Sequence, residues 1–399
     1  MSSLVGDLPF PHNYADEMLC LDRGQGTTLI DTEGKRYLDL GAGIAVNALG
    51  YGRRDLARIT SRQMRKLIHV SNLYATKPAI SLGALLLSLC RSIGEYDAVH
   101  FGNSGAEATE SAIKYARLYN NRTKGPGHHK LLSFSDGFHG RTMGALSVTA
   151  NKKYSEPFAP MIPDTYVSTY NDPEELKKVV GPEFAAIVVE VVQGEGGLRL
   201  MSEEFAAALN AAAKEHDLLL IADEVQTGLG RTGKLFASEI VGLKPDIVTF
   251  SKPLAGGLPL SATLIPERVN QLLHPGDHGT TFGGGPVTTA VAEHVVRTIA
   301  EPSFLNRVQE RGAQLARRLD ELVATKGEVG ERRGVGMLQG VTIVADDPTT
   351  RIAEVLGACR DAGVLLLRSS SNVLRFAPPL VISAGELNKG LDIVAAQLS

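Results

Sequence analysis

Apolar positions in this 399-residue chain follow two rhythms, and their alternation predicts the fold. Short runs that are apolar at nearly every position read as strands buried on both faces, as in a parallel sheet covered by helices. Ala185 to Val192 (AAIVVEVV), Leu218 to Ile221 and Ile247 to Phe250 are such runs, and shorter ones end at Phe101 and Phe134. Between them, apolar residues recur at helical spacing over about 54–67, 79–93 and 203–215. The same spacing returns before Thr298 and over Pro302 to Ala324. The last part alternates strands (Leu338–Val344, Val364–Leu367, Val373–Phe376) with helices (Arg351–Ala362, Ser383–Leu398). Near the start, Thr27 to Leu40 reads as a hairpin turning at Asp31–Gly34. The expected class is α/β: a large unit over 53–290 with a mainly parallel sheet, a smaller α+β unit over 291–399, and an arm over 1–52 that joins the smaller unit.

Open α/β sheets bind ligands at the C-terminal ends of their strands, so residues just beyond each apolar run are the candidates. Asp223 and Glu224 follow one run, and Ser251 and Lys252 follow the next. A strand-end Asp is more often a helix cap than a ligand, and a lone Lys is usually solvated. Lys252, however, sits between an apolar strand and Pro253 with the Gly256-Gly257 turn. An acid and a lysine at two strand tips are the pair a pyridoxal phosphate enzyme needs: the lysine holds the aldehyde, the acid the ring nitrogen.

Other strand ends add to the set. Ser104 and Glu107 form a Ser-x-x-Glu capping box after a glycine turn, and the free N–H groups of such a helix start suit a phosphate. Asp136 to Thr142 (DGFHGRT) carries an aromatic, Phe138, that could stack on a planar group, and Arg141, which could take a carboxylate in bidentate fashion. His139 is as consistent with packing as with chemistry. Glu190 and Glu195 flank the break in another strand. Gly228 to Lys234 (GLGRTGK) resembles part of a phosphate-binding loop, but Leu235 stands where a magnesium-binding Ser or Thr is required, and the strand ends well before it.

Bulk properties narrow the partners. Net charge is −3 and the hydrophobic fraction 43%, ordinary for a globular protein and without the basic excess that nucleic acid or an anionic membrane would call for. The basic run Arg53–Lys66 has its charges among Leu56, Ile59 and Met64, as on a solvated helix face. Cys20, Cys90 and Cys359 are far apart and lack metal-ligand spacing, and His128-His129 has no further ligands, so no metal is expected. No apolar run reaches the roughly 18–20 residues that span a bilayer, and the start lacks a secretory pattern. A cytoplasmic protein is expected.

With these sites in place the sequence resembles the class III (ω) aminotransferases of the fold type I pyridoxal phosphate enzymes, most closely the acetylornithine branch. The resemblance runs almost end to end: GKRYLDLGAGIAVNALG, SNLYAT, FGNSGAEATESAIKYAR, FHGRT, QGEGG, DEVQTGLGRTG, the Lys252 segment, GTTFGGGP and NVLRFAPPL, in the family's order. The resemblance implies that Lys252 holds the cofactor and moves the proton, while Asp223 keeps the ring nitrogen protonated. Gln226 would contact the ring's phenolic oxygen, and Phe138 would stack on its face. Backbone donors at Ser104, Gly105 and Ala106 would hold the phosphate, completed by Thr281 from a neighbouring subunit, so that a homodimer is needed. Arg375 would bind the α-carboxylate and Arg141 the distal carboxylate, and Glu195 would cover Arg375 when no α-carboxylate is presented. The implied reaction passes the δ-amino group of N-acetylornithine to 2-oxoglutarate by a ping-pong route, a step of arginine biosynthesis. Succinylornithine, ornithine, 4-aminobutyrate or lysine-pathway donors are the alternatives, and a nucleotide binder or a homologue without turnover are more distant ones. The chain departs from the family at Tyr51, Arg53, Val191, Pro253, Ala255 and Gly285, none of which removes a chemical group from the set.

Overall fold

Seven strands from the middle of the chain form the central sheet of this computed structural model, which describes residues 4–6, 8–15 and 17–399. In chain order they are β1 (Ala98–Gly102), β2 (Lys130–Phe134), β3 (Thr165–Ser168), β4 (Phe184–Val189), β5 (Leu219–Asp223), β6 (Ile247–Phe250) and β7 (Ser261–Ile265). Across the sheet they run β1-β7-β6-β5-β4-β2-β3. The neighbours β3, β2, β4, β5 and β6 are mutually parallel, and only β7 runs against its two partners, β6 and β1.

Every residue of β4, β5, β6 and β7 is buried. Helices cover both faces, so no polar alternation is needed and the unbroken apolar runs are the expected sequence. Burying one such Val, Leu or Ile side chain is worth about 1.5–3 kcal/mol. The register follows: Asp223 lies beside Thr249 of β6, which leaves Lys252 just past the same edge. The C-terminal edge of the parallel strands thus collects the polar residues that end each apolar run.

Helix α1 (Gly105–Thr123) leaves β1 through the expected capping box. Ser104 Oγ accepts the Glu107 N–H at 3.3 Å and the Glu107 carboxylate accepts the Ser104 N–H at 3.0 Å. Helices α2 (Pro286–Ala300) and α3 (Pro302–Thr325) follow the sheet, α2 packing on the turn that holds Lys252. Besides the central sheet and two short two-stranded pairs, the described residues form two four-stranded sheets. One joins Val329–Val335, Leu338–Ile343, Val373–Phe376 and Leu367–Ser369; the other pairs Val364–Leu365 with the hairpin strands near the start.

Two local expectations change. The run Val364–Leu367 is two strands in two sheets, split at Leu366, because Val364 pairs beside Leu38 while Leu367 pairs beside Arg375. Val329–Val335 (VGERRGV) is a strand that hydrophobic pattern does not announce, since only its first residue is buried and it lies on the rim of its sheet.

Candidate active site

Five strand ends deliver their residues to one place. A cavity of about 270 Å³ is lined by Gly105 and Ala106 from α1, Phe138 to Arg141 from the loop after β2, and Glu190 after β4. Asp223, Val225 and Gln226 after β5, and Ser251 and Lys252 after β6, complete it.

Lys252 starts a single helical turn, Lys252–Ala255, stiffened by Pro253 and ended by Gly256 in the left-handed conformation (φ 59°). Its amine makes no hydrogen bond or ion pair among the described residues. Burial lowers its basicity, as does the charge of Arg375, while Glu195, Asp223 and Glu190 act in the opposite sense; the net shift is downward. A buried, unpaired amine with lowered basicity is a nucleophile in waiting.

Asp223 is buried and accepts two hydrogen bonds, from the Val225 N–H at 3.0 Å and from His139 Nδ1 at 2.8 Å. Sequence reasoning left His139 undecided; the structure places it, 4% exposed, directly behind this acid. Burial works against a charge on the ring, but the Asp223 hydrogen bond and the charges of Asp223 and Glu190 outweigh it and raise the imidazole above its ordinary value. His139 thus fixes the orientation of the Asp223 carboxyl group from behind. Glu190 accepts the Phe138 N–H at 3.0 Å and the Gly194 N–H at 3.3 Å, so it anchors two of the site's loops, and burial pushes it up to about 7. The signal for His139 in the sequence was only its place between Phe138 and Arg141.

Glu195, Gln226 and Arg375 form one cluster. Arg375 Nη1 donates to Glu195 Oε1 at 2.6 Å, to the Gly194 carbonyl at 2.8 Å and to Gln226 Oε1 at 3.3 Å. Gln226 Nε2 donates to the same Glu195 oxygen at 3.3 Å. Ser369 ties down the loop, taking the Gly197 N–H and donating to the Gly194 carbonyl. Arg375 is 2% exposed and its Nε finds no acceptor among the described residues. Burial disfavours the Glu195 charge, but Arg375 and Lys252 hold its carboxyl below the usual range.

At the helix start, the Ser104 N–H is already given to Glu107, which leaves the N–H groups of Gly105 and Ala106 without a partner among the described residues. A Cβ on Gly105 would lie 2.7 Å from a Val225 methyl, so only glycine lets α1 come this close to the strand tip. Two free N–H groups at the end of a 19-residue helix make an anion site. Thr281 is not in this cavity; it is exposed and lines a separate groove of about 380 Å³ with residues of 69–87 and Gly283–Pro286.

The apparent phosphate loop is structural. Arg231 is 1% exposed and donates to the carbonyls of Met337 and Pro378. Glu224 takes the N–H groups of Ala237 and Ser238 and the hydroxyls of Ser238 and Thr227. Arg231 ties the stretch to distant parts of the chain, and Glu224 ties its two flanks together. Among the departures, the Tyr51 hydroxyl donates to Asp39 at 2.5 Å, Arg53 pairs with Asp55, and Gly285 stands at the start of α2.

The family model for class III aminotransferases matches residues 10–398. The chain belongs to the class III aminotransferases.

It is therefore a pyridoxal-phosphate-dependent transaminase of fold type I. The aminotransferase is 40% identical over 395 residues to a probable mitochondrial acetylornithine aminotransferase of Dictyostelium discoideum, covering 98% of this chain and 83% of that protein. It is 41% identical over 384 residues to an acetylornithine aminotransferase of Gloeobacter violaceus, covering 96% and 94%. Among solved structures, the ornithine aminotransferase of Toxoplasma gondii superposes with a TM-score of 0.91 at 30% identity, covering 98% of this chain and 92% of the other. The residues around the cavity fit pyridoxal phosphate: an anion site at α1, an acid backed by a histidine, and an unpaired buried amine.

Proposed function

We propose that this aminotransferase moves the δ-amino group of N-acetylornithine to 2-oxoglutarate, a step of arginine biosynthesis. The observation that carries the reading is the Arg375–Glu195 pair at 2.6 Å beside the unpaired Lys252. A site that takes an amine with no neighbouring carboxylate in one half-reaction, and an α-amino acid in the other, must hide a buried guanidinium in the first and expose it in the second. Glu195 can do both, because it is a carboxylate on a loop and 28% exposed. The names of the relatives from Dictyostelium and Gloeobacter support the donor.

Pyridoxal phosphate, when bound, supplies the electron-withdrawing ring that accepts the electrons released as a C–H bond of the amine-bearing carbon breaks. The rest is done by side chains. Gly105 and Ala106 N–H groups would hold the phosphate. Asp223, oriented by His139, would pair with the ring nitrogen and keep it protonated. Gln226 would reach the phenolic oxygen, and Phe138 would cover the ring's face. Lys252, freed by the incoming amine, would be the buried base that carries the proton from the substrate's amine-bearing carbon to the cofactor's C4′ carbon, and its lowered basicity suits both directions. Arg375 would orient the α-carboxylate and Arg141 the distal one, and bidentate geometry fixes the substrate in one plane.

We infer further that two copies share their sites. Thr281 lies outside the cavity of its own chain, on a groove that also takes in Tyr74 (71% exposed), and its chain neighbour Phe282 is 68% exposed. Aromatic side chains this exposed beside a groove mark a surface for another protein; a second copy that covers it would bring Thr281 to the phosphate. The free thiols Cys20, Cys90 and Cys359 fit a reducing, cytoplasmic setting, and none of the described helices is long and apolar enough to cross a membrane.

The test is a panel of half-reactions. Purified, cofactor-loaded protein is mixed with N-acetylornithine, succinylornithine, ornithine, 4-aminobutyrate and lysine in turn, and the loss of the cofactor's visible band is timed. N-acetylornithine should react fastest. A faster reaction with another amine replaces the donor, and no spectral change with any of them removes the activity.

A further inference from the structure

Arg141 presents an unusual balance. Among the described residues its guanidinium makes no ion pair and no hydrogen bond, although it stands at the wall of the cavity. What holds it is aromatic. Its central carbon sits 3.6 Å from the centre of the Tyr154 ring and 5.6 Å from that of Phe138. The two rings meet edge to face, with centroids 6.2 Å apart and planes at 88°. We propose that Tyr154 is a specificity-determining positioning residue: its ring face aims Arg141 so that the guanidinium edge is free for the distal carboxylate of a dicarboxylic substrate. This rests on the reading of Arg141 given above.

The physical argument concerns what else could hold an arginine there. A carboxylate partner would fix the fork but occupy the same N–H groups that the substrate needs, and the substrate would have to displace it. A stacked ring fixes the plane through its π face and leaves all five N–H donors along the edge. The backbone on both sides is anchored so that the stack is held in register. Glu110 takes the Thr142 hydroxyl at 2.6 Å and the N–H groups of Gly144 and Ala145 at 2.8 and 3.2 Å, which pins the chain just after Arg141. Tyr154 lies in a short helical turn, Lys152–Ser155, capped by Asn151, whose side chain accepts the Lys153 N–H. Phe138, in turn, is held from behind by Glu190 through its N–H. The Tyr154 hydroxyl makes no hydrogen bond among the described residues, so the ring, not the hydroxyl, is the acting group.

This stacking separates two kinds of ligand. A dicarboxylate touches both Arg375 and Arg141; a monocarboxylate of similar length has no use for Arg141. The experiment is calorimetric titration of the cofactor-loaded protein with glutarate and, separately, with butyrate. Tyr154→Leu keeps an apolar side chain of moderate size but removes the π face, and Tyr154→Phe keeps the face and removes the hydroxyl. The expected result is a glutarate Kd raised about 3- to 10-fold in Tyr154→Leu, unchanged butyrate binding, and wild-type behaviour in Tyr154→Phe, with all melting temperatures alike. Equal weakening of both ligands by Tyr154→Leu, or loss in Tyr154→Phe as large as in Tyr154→Leu, overturns the proposal. An Arg141→Ala arm separates the two readings. If it leaves glutarate binding intact, the role given to Arg141 fails and the Tyr154 proposal falls with it. If Arg141→Ala weakens glutarate but Tyr154→Leu does not, only the Tyr154 proposal is lost. Neither arm depends on which amine is the donor.

Discussion

Arg375 and Arg141 are the two guanidiniums to which substrate carboxylates are assigned, and the chain treats them in opposite ways. Arg375 is 2% exposed and carries a carboxylate of its own chain at 2.6 Å; Arg141 is exposed and rests on a tyrosine ring. The difference follows from solvation. A guanidinium taken out of water is costly unless a counter-charge accompanies it, so a buried carboxylate-binding arginine needs an internal stand-in whenever its ligand is away. An exposed one is solvated by water and needs none. With the roles proposed above, a switch between amine and α-carboxylate recognition would sit at the buried end, and a fixed contact for the distal group at the exposed end.

The comparison can be broken at its strongest point first. Arg375→Ala should lower kcat/KM for 2-oxoglutarate roughly 100-fold or more, because it removes a desolvated charge contact and leaves Glu195 without its partner, a change that costs about 2–5 kcal/mol. Steady-state kinetics with 2-oxoglutarate decide it; a loss no larger than that of an Arg141 variant would erase the distinction between the two ends. The next effect is smaller. Arg141→Lys should raise KM for 2-oxoglutarate by about 3- to 10-fold with kcat nearly kept, since an ammonium keeps the charge but not the bidentate fork. A kcat loss with unchanged KM would place Arg141 in the chemistry instead.

The smallest effect is in pH. Glu195 is held below its ordinary value of 4.5 when folded. Its contribution to stability is thus complete above about pH 4.5 and is lost as pH falls through the lower, folded value. Glu195→Gln should flatten the acid limb of a melting-temperature profile below pH 4.5, while Arg141→Lys, with no carboxylate partner, should leave that limb as in the parent. Parallel profiles for the parent and Glu195→Gln would show that the pair adds nothing in solution.

Much of this architecture was legible along the chain. Apolar runs at Leu218–Ile221 and Ile247–Phe250 became adjacent parallel strands, and Asp223 and Lys252 stood at their tips as expected. The capping box at Ser104 and Glu107 formed as its spacing required. Each of these depends on local rules: burial by period, capping by an offset of three residues. The strand at Val329–Val335 was not legible, because a rim strand with one buried residue carries no apolar rhythm. Nor was the split of Val364–Leu367, which is decided by pairing partners distant in sequence.

The glycine-rich stretch Gly228–Lys234 shows the limit most clearly. By composition it offers glycines and two cations to an anion; in space Arg231 is buried, with its Nη1 turned to the carbonyls of Met337 and Pro378. At α1, Glu107 folds back on the Ser104 N–H, while those of Gly105 and Ala106 have no partner among the described residues. His139 behind Asp223 and Tyr154 beneath Arg141 link segments that no spacing relates.

The sequence by itself determined which residues end buried strands, and hence which polar groups could reach the C-terminal edge of the sheet. Its family pattern also determined the class of chemistry. Only the tertiary structure decided which of those groups are free and which are taken: Lys252 and Arg141 unpaired among the described residues, Arg375 covered by Glu195, Asp223 backed by His139. The physical reason is that burial follows from local apolar periodicity, whereas a hydrogen-bond or charge partner is chosen among residues that the strand order brings together from distant parts of the chain.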